Sequence, residues 1–230
     1  MAETALEAFD GWWNSNNALN IYVGSLSEHF RSEDQHGRLS MWRGFGNPAT
    51  PRVALVLSVP RETEALFGLK AMFSPVAYLT DNELDAEIVK LLANVEREAE
   101  FLRTINPDLI RDHVFAMLYA GVTCLKHEGF KEEREWRVVY HPQIARSNLM
   151  EQDLVTVNGV PQNIHKLPLD GDKDALLEDL DLKNMLERII VGPSAYPFVL
   201  YQAFVEVLRS ELNDPGAITR VVVSGIPIRS

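Results

Sequence analysis

The feature that most limits the fold is a pair of helix-like stretches set back to back. In residues 80–102, Leu84, Ile88, Leu91, Leu92, Val95, Ala99 and Leu102 recur at helical spacing and give one apolar, inward-packing face. Thr80 followed by Glu83 has the pattern of a capping box at its start. Asn106-Pro107 opens the second helix, the asparagine as cap and the proline in the first turn. Residues 110–125 are apolar on most sides and belong in the middle of a fold.

Strand signals surround these helices without alternating with them. They fall at 19–26, 76–79, 135–140, 188–191 and 219–224. The run 52–59, Arg-Val-Ala-Leu-Val-Leu-Ser-Val, is too continuous for a half-exposed strand and predicts a buried one. Asn158-Gly159 between apolar flanks predicts a hairpin. An amphipathic helix over 2–13 carries Leu6, Phe9 and Trp13 on one side. Another runs from a Ser194 cap to Leu212, with Val199, Phe204, Val207 and Leu208 as its core face. The expectation is one α+β domain over residues 1–230, a mixed, largely antiparallel sheet packed with helices.

The net charge of -11 argues against loose, charge-driven binding to nucleic acid or anionic lipid, while leaving room for a local nucleotide site. The single cysteine, Cys124, lies in an apolar stretch and reads as a small buried hydrophobe. No intrachain disulfide can form, which fits a reducing compartment. The acidic start lacks the basic, then apolar, pattern of a signal peptide, and no apolar run suits a bilayer crossing. A cytoplasmic protein is expected.

Chemistry concentrates in Lys131-Glu132-Glu133-Arg134-Glu135-Trp136-Arg137. If 133–139 is extended, Glu133, Glu135 and Arg137 share one face, and Arg134, Trp136 and Val138 the other. Two carboxylates beside an arginine suit general acid–base work or ligand holding. They also suit a solvated edge strand with a Glu135–Arg137 ion pair. If Glu135 faces a cleft, Trp136 is core beneath the helices of 84–102 or 110–125. Arg137 then keeps the carboxylate ionised.

Ser25 and Ser27 alternate onto one face at a strand end and can orient a ligand or a glutamate; serines also end strands and begin turns. Trp42 can stack on a ring or fill a core. His29, Asp34 and His36 lack the spacing of metal ligands, so no metal is expected. Neither a P-loop nor a Gly-x-Ser-x-Gly elbow is present.

Several pieces follow in order: Ser25-Leu26-Ser27; Leu39-Ser40-Met41-Trp42-Arg43-Gly44-Phe45; Val76-Ala77-Tyr78; Glu133-Arg134-Glu135-Trp136-Arg137; and Ile189-Ile190-Val191-Gly192-Pro193. In this the chain resembles the bacterial domain-of-unknown-function family numbered 2971, over roughly residues 22–193. The resemblance implies a fold similar to ADP-ribosyltransferases, in phage-defence or toxin–antitoxin settings.

On it, Glu135 would be the catalytic glutamate, binding the 2′-hydroxyl of the nicotinamide ribose and stabilising oxocarbenium-like charge. Glu133 would orient or deprotonate the acceptor, and Ser25 and Ser27 would line the site. NAD would be the co-substrate, with Trp42, Arg43 and Arg137 toward it. An unidentified protein or nucleic acid would accept the group, and an antitoxin-like protein is a candidate partner. Transferases of this kind grip NAD with an arginine or histidine on an early strand. Here an acidic helix comes first, so Arg43 is the candidate substitute. The alternative is a non-catalytic binding or regulatory protein that retains the fold.

Overall fold

The computed structural model describes residues 2–15, 17–45, 50–60 and 63–227. In chain order its elements begin with α1 (Ala2–Asn14), β1 (Tyr22–Ser27), α2 (Leu39–Gly44), β2 (Val53–Leu57), α3 (Glu64–Gly68), β3 (Ala71–Pro75) and β4 (Ala77–Leu79). There follow α4 (Asp81–Arg97), α5 (Ala99–Leu102), α6 (Pro107–Cys124), β5 (Leu125–His127) and β6 (Glu135–Tyr140). The chain continues through β7 (Glu151–Val157), β8 (Val160–Lys166), α7 (Leu182–Met185), β9 (Leu186–Val191), α8 (Pro197–Leu212), α9 (Ala217–Arg220) and β10 (Val221–Val223). The protein is α+β with mostly antiparallel pairing, carried by several small sheets instead of one. It forms two compact units, 1–27 with 70–147 and 28–69 with 148–230.

In the first unit β6 is the central strand, antiparallel to β1 on one side and β3 on the other. Phe9 of α1, Tyr119 and Cys124 of α6 and Val139 of β6 form its buried core. Trp12, Trp13, Met72 and Phe115 pack around them. Alternation along β6 puts Val139 on the face of Glu135 and Arg137. The helices therefore cover the glutamate's side of the sheet, opposite to the placement expected. Trp136, expected to be core, is half-buried and lies against Phe73, ring centroids 5.0 Å apart.

The helix α4 starts as read: Thr80 Oγ1 accepts from the Glu83 N–H, and the Glu83 carboxylate accepts from the Thr80 N–H. Its apolar face does not pack inward. Ile88, Leu91, Leu92 and Val95 are all exposed. Periodicity shows that a helix has an apolar face, but not that anything covers it. Asn106 caps α6 through the Asp108 N–H, with Pro107 in the first turn.

In the second unit β9 is central, parallel to β10 and antiparallel to β2. Ile189 and Val191 pack with Val205 and Leu208 of α8, and Ile190 packs with Trp42 and Val56. Three expectations change here. β2 is an edge strand with Val53 and Leu55 exposed; an unbroken apolar run does not distinguish an edge from a centre. Ser194 bonds the Tyr196 N–H ahead of the helix, and Tyr196 is the cap, because Pro197 takes the first helical position. Of the core face expected for α8, Leu208 is buried and Phe204 packs against the core, Val205 is buried beside them, and Val199 and Val207 are exposed. The hairpin of β7 and β8 forms as read, with Asn158 (φ +50°) and Gly159 (φ +83°) both left-handed. Among the described residues no helix is long and apolar enough to cross a membrane.

Candidate functional site

The site is built around the first residue of β6. Arg134 turns the chain at φ +44°, and Glu135 then enters the middle strand of its sheet. A non-glycine residue in this region is strained by roughly 1–2 kcal/mol, and such strain collects at functional positions. The turn also corrects the expected alternation. Glu133 belongs to the 3-10 helix Glu128–Glu133, so it does not share a strand with Glu135 and Arg137.

Glu135 is only 7 % exposed. In the register of β1 with β6, Ser27 lies opposite Glu135 and Ser25 opposite Arg137, which brings both serines to the glutamate's face. Ser25 Oγ donates to Glu135 Oε1, and Ser27 Oγ donates to the Glu133 carbonyl at 2.5 Å. Arg137 grips the carboxylate with two nitrogens, Nε to Oε1 at 2.9 Å and Nη2 to Oε2 at 3.2 Å. Its Nη1 donates to the Thr123 carbonyl in the last turn of α6, where carbonyls lack helical partners. The guanidinium is thus fixed from two directions. The Glu135 N–H donates to Tyr78 Oη at 2.8 Å.

Lys126 completes the cluster. Its Nζ donates to Glu133 Oε2 at 2.5 Å and to Glu135 Oε2 at 3.3 Å, and lies 4.8 Å from the centre of the Phe130 ring. This ammonium reunites the two glutamates that the strand does not. With Ser25, Arg137 and Lys126 in place, the roughly four acceptor positions of the Glu135 carboxylate are all taken.

Electrostatics follow from these contacts. Burial alone would raise the Glu135 carboxyl, but the hydrogen bonds from Arg137 and Ser25, with the charge of Arg137 and the Lys126 bond, hold it at about 2. Burial pulls Lys126 down, and its bonds to Glu133 and Glu135 outweigh this and raise it. The Glu135 hydrogen bond raises Arg137 against its own burial. The Glu135–Arg137 ion pair of the edge-strand reading is present, but on a central strand and beside a buried carboxylate, not on a solvated edge.

Ser25, Ser27, Glu133, Glu135 and Arg137 therefore come together. Trp42 and Arg43 belong to the other unit. Trp42 is core: its Nε1 donates to the His36 carbonyl at 2.8 Å, and its ring is closely approached by two glycines. A Cβ at Gly37 would meet that ring at 2.7 Å and one at Gly192 at 2.8 Å. A ring so enclosed offers no face for stacking. Arg43 is exposed at the end of α2. His29 bonds Asp34 at 2.7 Å and His36 bonds the Ser224 carbonyl. Among the described residues no group of three or more metal-ligating side chains forms.

Sequence reasoning missed Lys126, Tyr78 and Thr123 as members of the site. The Val-x-Tyr strand carried Tyr78 in plain view without a partner. Lys126 needed the parallel pairing of β4 with β5, where Tyr78 lies opposite Lys126, and no periodicity announces that pairing.

Residues 41–138 match the model of a family described as protein of unknown function (DUF2971). The matched stretch takes in Tyr78, Lys126, Glu133, Glu135 and Arg137 and leaves Ser25 and Ser27 outside it. No curated protein and no solved structure matches the chain.

Proposed function

We propose that this protein transfers ADP-ribose from NAD to a macromolecular acceptor, with Glu135 as the central residue. The observation that supports it is the hydroxyl of Ser25 donated to a buried, ionised Glu135 from the neighbouring strand. A serine strand supporting a glutamate is the arrangement that the family resemblance implies for such transferases. The setting implied with it is phage defence or a toxin–antitoxin system.

In this reading the bond between ribose C1′ and the nicotinamide nitrogen breaks, and its electron pair leaves with nicotinamide. A nucleophile of the acceptor forms the new bond to C1′ and gives its proton to Glu133. Glu135 accepts the ribose 2′-hydroxyl and faces the positive charge developing on the sugar. A carboxyl held at about 2 is ionised throughout the physiological range, as that role requires.

A second reading also has an observation behind it. The filled acceptor positions of Glu135 suit a binding or regulatory protein that keeps the fold without the chemistry. Incubating the protein with radiolabelled NAD and bacterial lysate separates the two. Label transfer by wild type and its loss in Glu135→Ala are expected. Absence of transfer by wild type, or equal transfer by the variant, would overturn the catalytic reading in favour of the second.

A further inference from the structure

We infer that Lys126 is an exchangeable donor: it fills, in the unliganded chain, the acceptor position on Glu135 that a ribose hydroxyl takes on binding. The inference rests on the reading of Glu135 as a ribose-binding glutamate and adds how that glutamate is kept and released. Its basis is the unequal hold on the three donors around one carboxylate.

Arg137 is not exchangeable. Two of its nitrogens are on Glu135 and a third is on the Thr123 carbonyl, so moving it breaks three bonds at once. Ser25 is the support expected of its strand and donates to Oε1. Lys126 reaches Oε2 at 3.3 Å, well beyond the ~2.7–2.9 Å of a strong charge-assisted bond. It meets Glu133 at 2.5 Å and has the Phe130 ring at 4.8 Å. Leaving Glu135 would therefore not strand the ammonium. It keeps its shorter ion pair and its aromatic neighbour, on a flexible four-carbon stem. A hydroxyl arriving at Oε2 replaces a long bond with an ordinary one, and the carboxylate remains fully satisfied.

Glu133 acquires a role from the same geometry. It is the residue to which Lys126 retreats, so the Glu-x-Glu pair stores the cation on one glutamate while the other binds ligand. Lys126 is on this account a positioning residue that sets the ligand's access to Glu135.

The test measures NAD binding by titration calorimetry on the full chain in wild type, Lys126→Met and Lys126→Arg. Methionine keeps the stem and removes the donor, so NAD should bind about tenfold tighter, the worth of roughly one hydrogen bond. Arginine offers a planar fork that holds Oε2 more firmly, so NAD should bind more weakly than to wild type. NAD lacking the 2′-hydroxyl on the nicotinamide ribose should lose the methionine variant's advantage. A merely structural lysine predicts the same direction of change in both variants, and that result overturns the inference while wild-type binding keeps the reading of the site. Binding by Lys126→Met alone supports the inference. NAD binding by none of the three overturns both. Should Lys126→Met not fold, unchanged or tighter binding by Lys126→Arg overturns the inference.

Discussion

The central strands of the two three-stranded sheets, β6 and β9, hold the same position and are filled by opposite chemistry. β9 presents Ile189, Ile190 and Val191, all buried, with helix side chains on one face and Trp42 on the other. β6 begins with Glu135 and Arg137, and only its far end, Val139 and Tyr140, is buried and apolar. An aliphatic strand in a sheet centre is explained by burial alone. A carboxylate there is not, because desolvation offsets much of the gain from pairing it, and apolar residues of similar size often do as well. The difference teaches where to look for function. β9 is the strand that the fold needs, and the polar end of β6 is what a fold keeps for some other reason.

The comparison is broken most forcefully at Ile190, which is fully buried between β2 and β10. Ile190→Ala should destabilise the protein by about 3–4 kcal/mol, the lost transfer energy plus a cavity under Trp42. Chemical denaturation measures this. Transfer activity per folded molecule should not change. Lost activity in a variant that is still folded would mean that β9 belongs to the site as well.

The face of β6 opposite Glu135 gives the middle-sized effect. Trp136 is half-buried against Phe73, on the side of the sheet away from Glu135. Trp136→Ala should cost about 2 kcal/mol, roughly half the loss for a fully buried tryptophan. NAD binding by the folded variant should be unaltered. An unchanged denaturation midpoint with abolished binding would place the tryptophan in the site and make the glutamate cluster structural.

These expectations differ from what the sequence allows alone, for reasons that particular residues make plain. Local chemistry was legible: the Thr80 cap, the Asn106-Pro107 start, the Asn158-Gly159 turn and both ends of β6 each depend on neighbours within a few positions. That Ser25 and Ser27 share one face was legible too, because period-two alternation fixes it, while their meeting with Glu135 was implied only by the family resemblance. Coverage was not. The apolar face of α4 and the edge position of β2 depend on which elements meet, and a single-residue periodicity carries no record of that. The same gap inverted the faces of β6, since α1 and α6 could have packed on either side. Arg134 broke the alternation because nothing in Glu-Arg-Glu signals a left-handed residue. Lys126 stayed hidden because its partners come from the pairing of β4 with β5 and the turn that follows.

The smallest effect is also the most diagnostic, because its sign changes little but its pH dependence is specific. Ser25 is exposed, yet its hydroxyl donates to the buried Glu135 carboxylate. Ser25→Ala should cost about 1 kcal/mol at neutral pH, since water can replace part of the lost donor. The Glu135 carboxyl is held at about 2 against an ordinary value of 4.5, so its ionisation contributes stability above pH 4.5. That contribution is lost as the pH falls through 4.5 toward 2. The bond from Ser25 is one of the forces keeping the carboxyl low, and removing it moves the folded value up toward 4.5. The variant therefore loses less stability across that window than wild type does. Its deficit should be complete at pH 7 and shrink toward zero below pH 2, where the carboxyl becomes protonated in both proteins. Urea denaturation at a series of pH values reads the two curves and their convergence. A deficit that stays constant with pH would mean that Ser25 supports the strand rather than the charge. The resemblance of β1 to a serine strand serving a catalytic glutamate would then lose its physical basis, and the buried charge on β6 would be left to Arg137 and Lys126 alone.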